Sequence, residues 1–233
     1  MKTKFTFILV LVLLTIIPEL IFADQLSKAE KEGIQLMREE EKLAQDVYLF
    51  LYDQWGLPIF SNISYSETRH FNAVGYLLEN FKISDPALPE MEKFQNKEIA
   101  FLYDSLTQKG SESLVEALKV GAFIEEFDIA DLQKLLASNT DTIIEGNYQN
   151  LLRGSNNHLR AFTGQLESRG EIYNPVILDK TAFLEVAQGS HQMGGGNNSY
   201  VLQQNNCQNQ QNNMPVRNRI RGKGRMRGQR GWN

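Results

Sequence analysis

Ser66-Glu67-Thr68-Arg69-His70 is the stretch on which the reading of this 233-residue chain turns. A Glu and a His three residues apart on a helix share one face, one turn apart, and can grip one metal ion from one side. Helix bundles that carry two metals use this spacing, with Glu-x-x-His on each of two helices and a lone Glu on each of two others. The pattern is short. It has meaning only if the rest of the chain supplies a bundle and the missing ligands.

Working outward, the apolar periodicity predicts four long helices. The first runs from Asp24 to Gln54 along a seam of Ile34, Met37, Glu41, Ala44, Tyr48, Leu51 and Trp55, and Gly56-Leu57-Pro58 stops it. Asn62 or Ser64 can cap the second, which reaches about Asn80 along Ile63, Glu67, His70, Val74, Leu77 and Phe81. Ser84 to Pro89 reads as a loop, and Lys97 to Gln108 as a short helix ended by Gly110. Ser111 opens the third long helix, with Ser113 and Glu116 as a capping box and a seam of Leu114, Leu118, Gly121, Glu125, Asp128, Leu132 and Leu135. Thr140 or Asp141 caps the fourth, which extends to Arg169-Gly170 along Ile144, Tyr148, Leu151, Ser155, His158, Phe162 and Gln165. Short turns join the first pair and the last pair, whereas a long link separates the second and third long helices. Short loops make antiparallel neighbours, and one long link lets the chain cross a four-helix bundle. The expected fold class is therefore all-α. Tyr173 to Leu178 reads as extended and Lys180 to Ala187 as a turn or two of helix, both packed on the bundle.

Each seam is apolar except at its middle, where Glu41, then Glu67 and His70, then Glu125 and Asp128, then Ser155 and His158 stand. Burying an unpaired carboxylate costs several kcal/mol, and these groups are mostly acids that cannot satisfy one another. A cation solves that problem. Carboxylate oxygens and imidazoles suit iron, manganese or zinc better than a thiolate-loving metal. Taken singly, each residue has a plainer reading: a buried His is more often a hydrogen-bonded core residue, and a Glu on a long helix is usually solvated. In Glu39-Glu40-Glu41 any one can face water, and Glu125-Glu126 has the same ambiguity. Glu125 is preferred because the Glu126 line includes Lys119 and Gln133.

Met37 to Tyr48 resembles the first helix of rubrerythrin-type ferritin-like proteins, and Glu67-Thr68-Arg69-His70 resembles their second-helix ligand motif. More closely, the chain is similar to the DUF2202 family through Arg38 to Tyr48, Gly56 to Phe60, Glu67-x-x-His70, Val120 to Leu132 and Asn150 to Arg160. The resemblance covers about residues 30 to 180. It implies a ferritin-like four-helix bundle with one crossover between helices two and three, and a di-iron carboxylate centre; it brings no known reaction. One departure stands out. The fourth helix should offer Glu-x-x-His and offers Ser155-x-x-His158. One half of the site (Glu41, Glu67, His70) is complete, and the other (Glu125, His158, with Asp128 as a substitute) is altered. A single metal or an asymmetric pair follows as readily as two equal sites. Tyr48 is expected near the site as a hydrogen bonder.

The ends of the chain differ in character. Residues 1–23, with Lys2, Lys4, an apolar run from Phe5 to Ile17 and a closing Ala23, read as a signal peptide cleaved after Ala23, the alternative being an uncleaved anchor. Export to a periplasmic, envelope or extracellular location follows from that reading. Cys207 is the single cysteine, so an internal disulfide is excluded and residues 24–187 must rely on a core. From residue 188 to 213, 14 residues are Gln or Asn, and the tail 188–233 is expected to be disordered. Residues 24 to 185 carry a net charge of −12, against +7 from Val186 onward. The Arg/Gly-rich segment from Arg219 to Trp232 resembles nucleic-acid-binding segments. Export argues against a specific nucleic acid and favours anionic envelope polymers as partners, the plainer alternative being a solubilising tail. Two functional readings remain at this point: an exported metalloprotein oxidising ferrous iron or scavenging peroxide, and a non-catalytic envelope or interaction protein that kept the scaffold. Either is compatible with an oligomer.

Overall fold

The computed structural model describes residues 26–189. The signal segment and nearly all of the Gln/Asn- and Arg/Gly-rich tail lie outside the described residues. The described residues form six helices and no strand: α1 (Lys28–Trp55), α2 (Pro58–Asn80), α3 (Lys97–Gly110), α4 (Leu114–Ser138), α5 (Thr142–Glu167) and α6 (Lys180–Ala187). None of these helices is long and apolar enough to cross a membrane.

Local signals account for most of the helix ends. Ser27 and Glu30 form a reciprocal capping box at α1, and Ser113 and Asp141 accept backbone N–H bonds at the starts of α4 and α5. Gly56, at φ +61°, closes α1 in the left-handed conformation that glycine adopts without strain. The start of α2 differs from the expectation. It begins at Pro58, ahead of Asn62 and Ser64, because a proline at the first helical position has a suitable φ and loses no needed N–H bond. The proline expected only to stop α1 also opens α2. Likewise α4 starts at Leu114 rather than Ser111, which instead caps the end of α3.

Paired residues give the directions of the four long helices. Gln45 bonds Thr68, and Arg38 bonds the carbonyl of Phe71, so α1 and α2 are antiparallel. Tyr48 reaches Gly121 and Gly33 faces Leu135, which sets α4 antiparallel to α1. Asn147 bonds the carbonyl of Ala73 and Gly154 lies against His70, so α5 is antiparallel to α2 and therefore to α4, which runs the same way as α2 and meets α5 where Gly121 lies against Phe162. The four therefore form a ring in the order α1, α2, α5, α4, in which α2 and α4 run the same way. The chain must return along the bundle between them, and α3 makes that return, its end tied where Trp55 donates to the Gly110 carbonyl at 2.9 Å.

The polar face of α1 holds this crossover. Gln35 donates to Ser84, Arg38 pairs with Asp85, Asp46 accepts from Glu92 N–H at 2.9 Å, and Glu39 accepts from Gln95 and Asn96 N–H just before α3. Glu39, Glu40 and Glu41 are all buried, so no member of that run faces water. Glu126 is buried too. It accepts from the Tyr173 hydroxyl at 2.6 Å and from the N–H groups of Val176 and Leu178 at 3.0 and 3.1 Å, and so clamps a segment that bends at residues 176–178 rather than running extended, and whose Tyr173 and Leu178 join the core. We expect Glu126→Ala to destabilise the protein by about 3 kcal/mol, since it leaves buried donors unpaired. Denaturant melting should register it, with proteolysis appearing first between Gly170 and Asp179.

Candidate metal centre

The core is divided. One apolar cluster includes Val47, Leu51, Phe60, Leu118, Ile124 and Phe162, and the other includes Ile34, Met37, Val74, Leu77, Leu132, Ile144 and Leu151. Along α1, α2 and α5 the two sets fall on opposite sides of the mid-seam polar residues, and on α4 only Ile129 of the first set lies past Asp128. Those residues thus form a polar layer between two apolar ones.

Glu67 is the middle of that layer. Its Oε2 lies 2.7 Å from His70 Nδ1, and its Oε1 lies 2.7 Å from His158 Nδ1. Glu41 Oε2 stands 3.4 Å from His70 Nδ1, and Glu125 Oε2 stands 3.4 Å from His158 Nδ1. The arrangement has an approximate two-fold character about Glu67. The two imidazoles stack with ring centroids 5.6 Å apart. Glu41, Glu67 and His70 present ligand atoms within 4.8 Å of one another, and so do Glu67, Glu125 and His158.

Both oxygens of Glu41 and Glu125 Oε2 are buried without a hydrogen-bond partner, while Glu67 Oε1 and His158 Nδ1, 2.7 Å apart, face each other without hydrogen-bond alignment. Orphaned buried acceptors of this kind are rare in native proteins. The donor set, carboxylate oxygen with imidazole nitrogen, fits a divalent metal and supplies what such an ion requires. Electrostatics agree with the geometry. Burial first, and the Glu67 carboxylate beside it, push Glu41 up to about 8, although His70 opposes the shift. Burial would also raise Glu67, but the imidazolium charges of His158 and His70 prevail and hold it well below the usual carboxylate range. Without a metal, the two rings act as the cations.

The other sequence-predicted residues lie close by. Tyr48 donates to Glu125 Oε1 at 2.5 Å and so orients that carboxylate, rather than serving Glu41 on its own helix. Asp128 is buried one turn from Glu125, and burial and the charges of Glu41 and Glu125 hold its carboxyl well up; it belongs to neither three-residue group. Ser155 is buried and its hydroxyl donates back to the Leu151 carbonyl. Periodicity alone did not mark Gly154. A Cβ there would come within 2.4 Å of the His70 ring, so this glycine makes the space in which the imidazole lies. Gly154→Ala should displace His70 and weaken metal binding about tenfold or more, by the scale of supporting-residue effects, with little change in helix content. Circular dichroism beside metal titration separates the two.

Residues 30–190 match the family described as "Uncharacterized protein domain (DUF2202)". The chain belongs to the DUF2202 family. A relative described as "Uncharacterized protein MJ0754", from Methanocaldococcus jannaschii, is 46% identical over 170 residues, covering 72% of this chain and 92% of that protein. The crystal structure of hypothetical protein MJ0754 superposes with a TM-score of 0.71, covering 72% of this chain and 96% of that one. The buried Glu/His layer is thus a feature of a DUF2202 domain. Its extent, residues 30–190, includes α6 and the segment clamped by Glu126.

Proposed function

We propose that this DUF2202 protein is an exported, ferritin-like metalloprotein that holds a carboxylate-bridged pair of metal ions, iron first, with manganese or zinc as alternatives. The observation that carries this reading is Glu67. One buried carboxylate directs each of its oxygens at a different histidine, and a separate Glu lies 3.4 Å from the same nitrogen of each ring. The ring order of the four long helices, with one crossover between the second and third, is what a ferritin-like topology would require, and it supports the assignment. The positive start, apolar run and Ala23 of residues 1–23 support export.

Within such a centre Glu41, Glu67 and His70 would hold one ion, and Glu67, Glu125 and His158 would hold the other. The carboxylates offset the metal charge, and the two rings are neutral ligands. The chemistry iron would supply there, when bound in the ferrous state, is the electrons for reducing oxygen or peroxide, the iron itself being oxidised. The chain's own part is to exclude bulk water through the two apolar layers and to hold Glu125 in place through Tyr48. A second reading is favoured by Ser155, which stands where a fourth-helix Glu is expected and turns to its own backbone. It is a protein that binds metal without turnover, a non-catalytic envelope or interaction protein. The basic tail supports anionic envelope polymers as its partners.

The test is the metal content of the purified protein, followed by oxygen and peroxide consumption with ferrous iron added. Bound metal with consumption supports the oxidase or scavenger, and bound metal without it supports the second reading. Metal-free protein whose melting is unchanged by Glu67→Ala and His70→Ala would overturn both.

A further inference from the structure

Solvent reaches the two three-residue groups at their histidines. The Glu41, Glu67 and Glu125 side chains are at most 1% exposed, whereas those of His70 and His158 keep 13% and 11%. Both rings belong to the α2–α5 pair, so the opening lies along the seam between those helices. Gly154 faces the His70 ring from α5 and adds no side chain there. An opening that shows so little of each ring passes a group of only a few atoms.

The same seam is positive. Ser66 stands one turn before His70, and Asn150 and Asn157 stand one turn to either side of Gly154, so all three line it. Each holds a guanidinium. Arg69 donates to Ser66 Oγ at 3.2 Å, Arg153 donates to Asn150 Oδ1 at 2.8 Å, and Arg160 donates to Asn157 Oδ1 and to the Val186 carbonyl, the latter at 2.9 Å. Among the described residues these three groups meet hydroxyl, amide and carbonyl oxygens and no carboxylate. The sequence leaves hardly any acid within reach. Between Pro58 and Leu78 of α2 the single acid is the buried Glu67, and between Gly146 and Leu166 of α5 there is none. The centre behind the seam has a matching need. Two divalent ions bring four positive charges, and Glu41, Glu67 and Glu125 bring three negative ones, with Asp128 outside both groups. One positive charge would remain uncompensated in a buried layer, which is costly.

We propose that the α2–α5 seam is the mouth of the centre and admits a small anion, of the size of azide or formate, which Arg69 and Arg160 draw in and which offsets the last charge of the bound metal pair. The mouth rests on the metal-binding reading above and names the class of ligand exchanged there. Guanidinium groups suit this task because they keep their charge at every working pH and offer several N–H donors to one anion. Arg153, one turn further along the seam, adds to the same field.

The experiment uses the full chain loaded with cobalt(II), whose visible absorption reports a change of ligand, titrated with sodium azide and separately with sodium formate. Both anions are expected to alter the spectrum of the unsubstituted chain. Arg69→Gln and Arg160→Gln are expected to weaken that binding about threefold each and about tenfold together, with the cobalt content unchanged by metal analysis. Arg69 is exposed and bonds only within its own helix, so its variant tests the idea even if Arg160→Gln loosens α6. A spectrum that neither anion moves, or equal affinities in all variants, would overturn the anion mouth and leave the metal reading standing. Lost cobalt in Arg69→Gln would also overturn it, by making that arginine a support of the metal ligands. If the unsubstituted chain takes up no cobalt, both readings fall.

Discussion

Glu67→Ala is expected to empty both halves of the centre at once. The other ligands each serve one group: Glu41 and His70 the first, Glu125 and His158 the second. Glu67 serves both, through oxygens that each lie 2.7 Å from a different ring nitrogen. Its loss removes one of three protein ligands from each ion together with the charge that binds them to each other. A supporting residue alone is worth roughly ten- to a hundredfold in metal affinity, so a shared ligand should cost each ion at least about a hundredfold. His158→Ala should cost the second ion that much and the first far less. Metal analysis after dialysis distinguishes the patterns, reading near zero for Glu67→Ala and about half occupancy for His158→Ala. If Glu67→Ala retained one tightly bound ion, the bridging role would be wrong.

Metal affinity should also rise steeply with pH, because the metal-free centre is held together by protons. Burial disfavours a charged His158, yet Glu67 and Glu125 overcome that and hold its ring up to about 10. His70 is raised in the same way by Glu67 and Glu41, against burial. Glu41 is pushed up to about 8, chiefly by burial. At neutral pH both rings and Glu41 therefore carry protons that a metal must displace, whereas Glu67 is already ionised. Each displaced proton makes affinity climb roughly tenfold per pH unit until the group's own value is passed.

The sign for the metal-free protein is opposite. A group whose value is raised on folding contributes its full stability below its unfolded value, 6.5 for the histidine and 4.5 for the glutamate, and loses it as pH passes through the folded values near 10 and 8. Melting of metal-free protein should fall between pH 6.5 and 10 while the gain from added metal grows. Calorimetry in two buffers of different ionisation enthalpy counts the protons released. A flat affinity across that interval would contradict the proton-held centre.

The positions of the buried Glu and His groups were legible because they lie on helical seams. Glu41, Glu67, His70, Glu125 and His158 interrupt otherwise apolar stripes, and a stripe states which way a side chain faces. The other buried acids were not legible. Glu39 and Glu126 stand off those stripes and face segments without helical period, Gln95 to Asn96 and Tyr173 to Leu178. Periodicity describes how helices meet one another and carries no information about which side chain accepts a loop's N–H groups. Glu40 escaped for a related reason. It meets Asp131 across an interface, and nothing local in either helix marks that meeting. Pro58 was read as a stop because proline ends helices more visibly than it begins them.

The ring order has a consequence for how the chain assembles. Gly56 and Leu57 are all that separate α1 from α2, so that helical hairpin closes through contacts near in sequence, the kind that form early. Glu41, Glu67 and His70 all belong to it. One complete three-ligand group therefore exists once this hairpin has formed. The second group does not exist within the α4–α5 hairpin, which brings Glu125 and His158 but must take Glu67 from the first. Docking of the two hairpins and completion of the second group are one event. A metal ion in that group would be a clasp between the two hairpins, and its removal should loosen the α1–α2 unit from the α4–α5 unit before either hairpin opens.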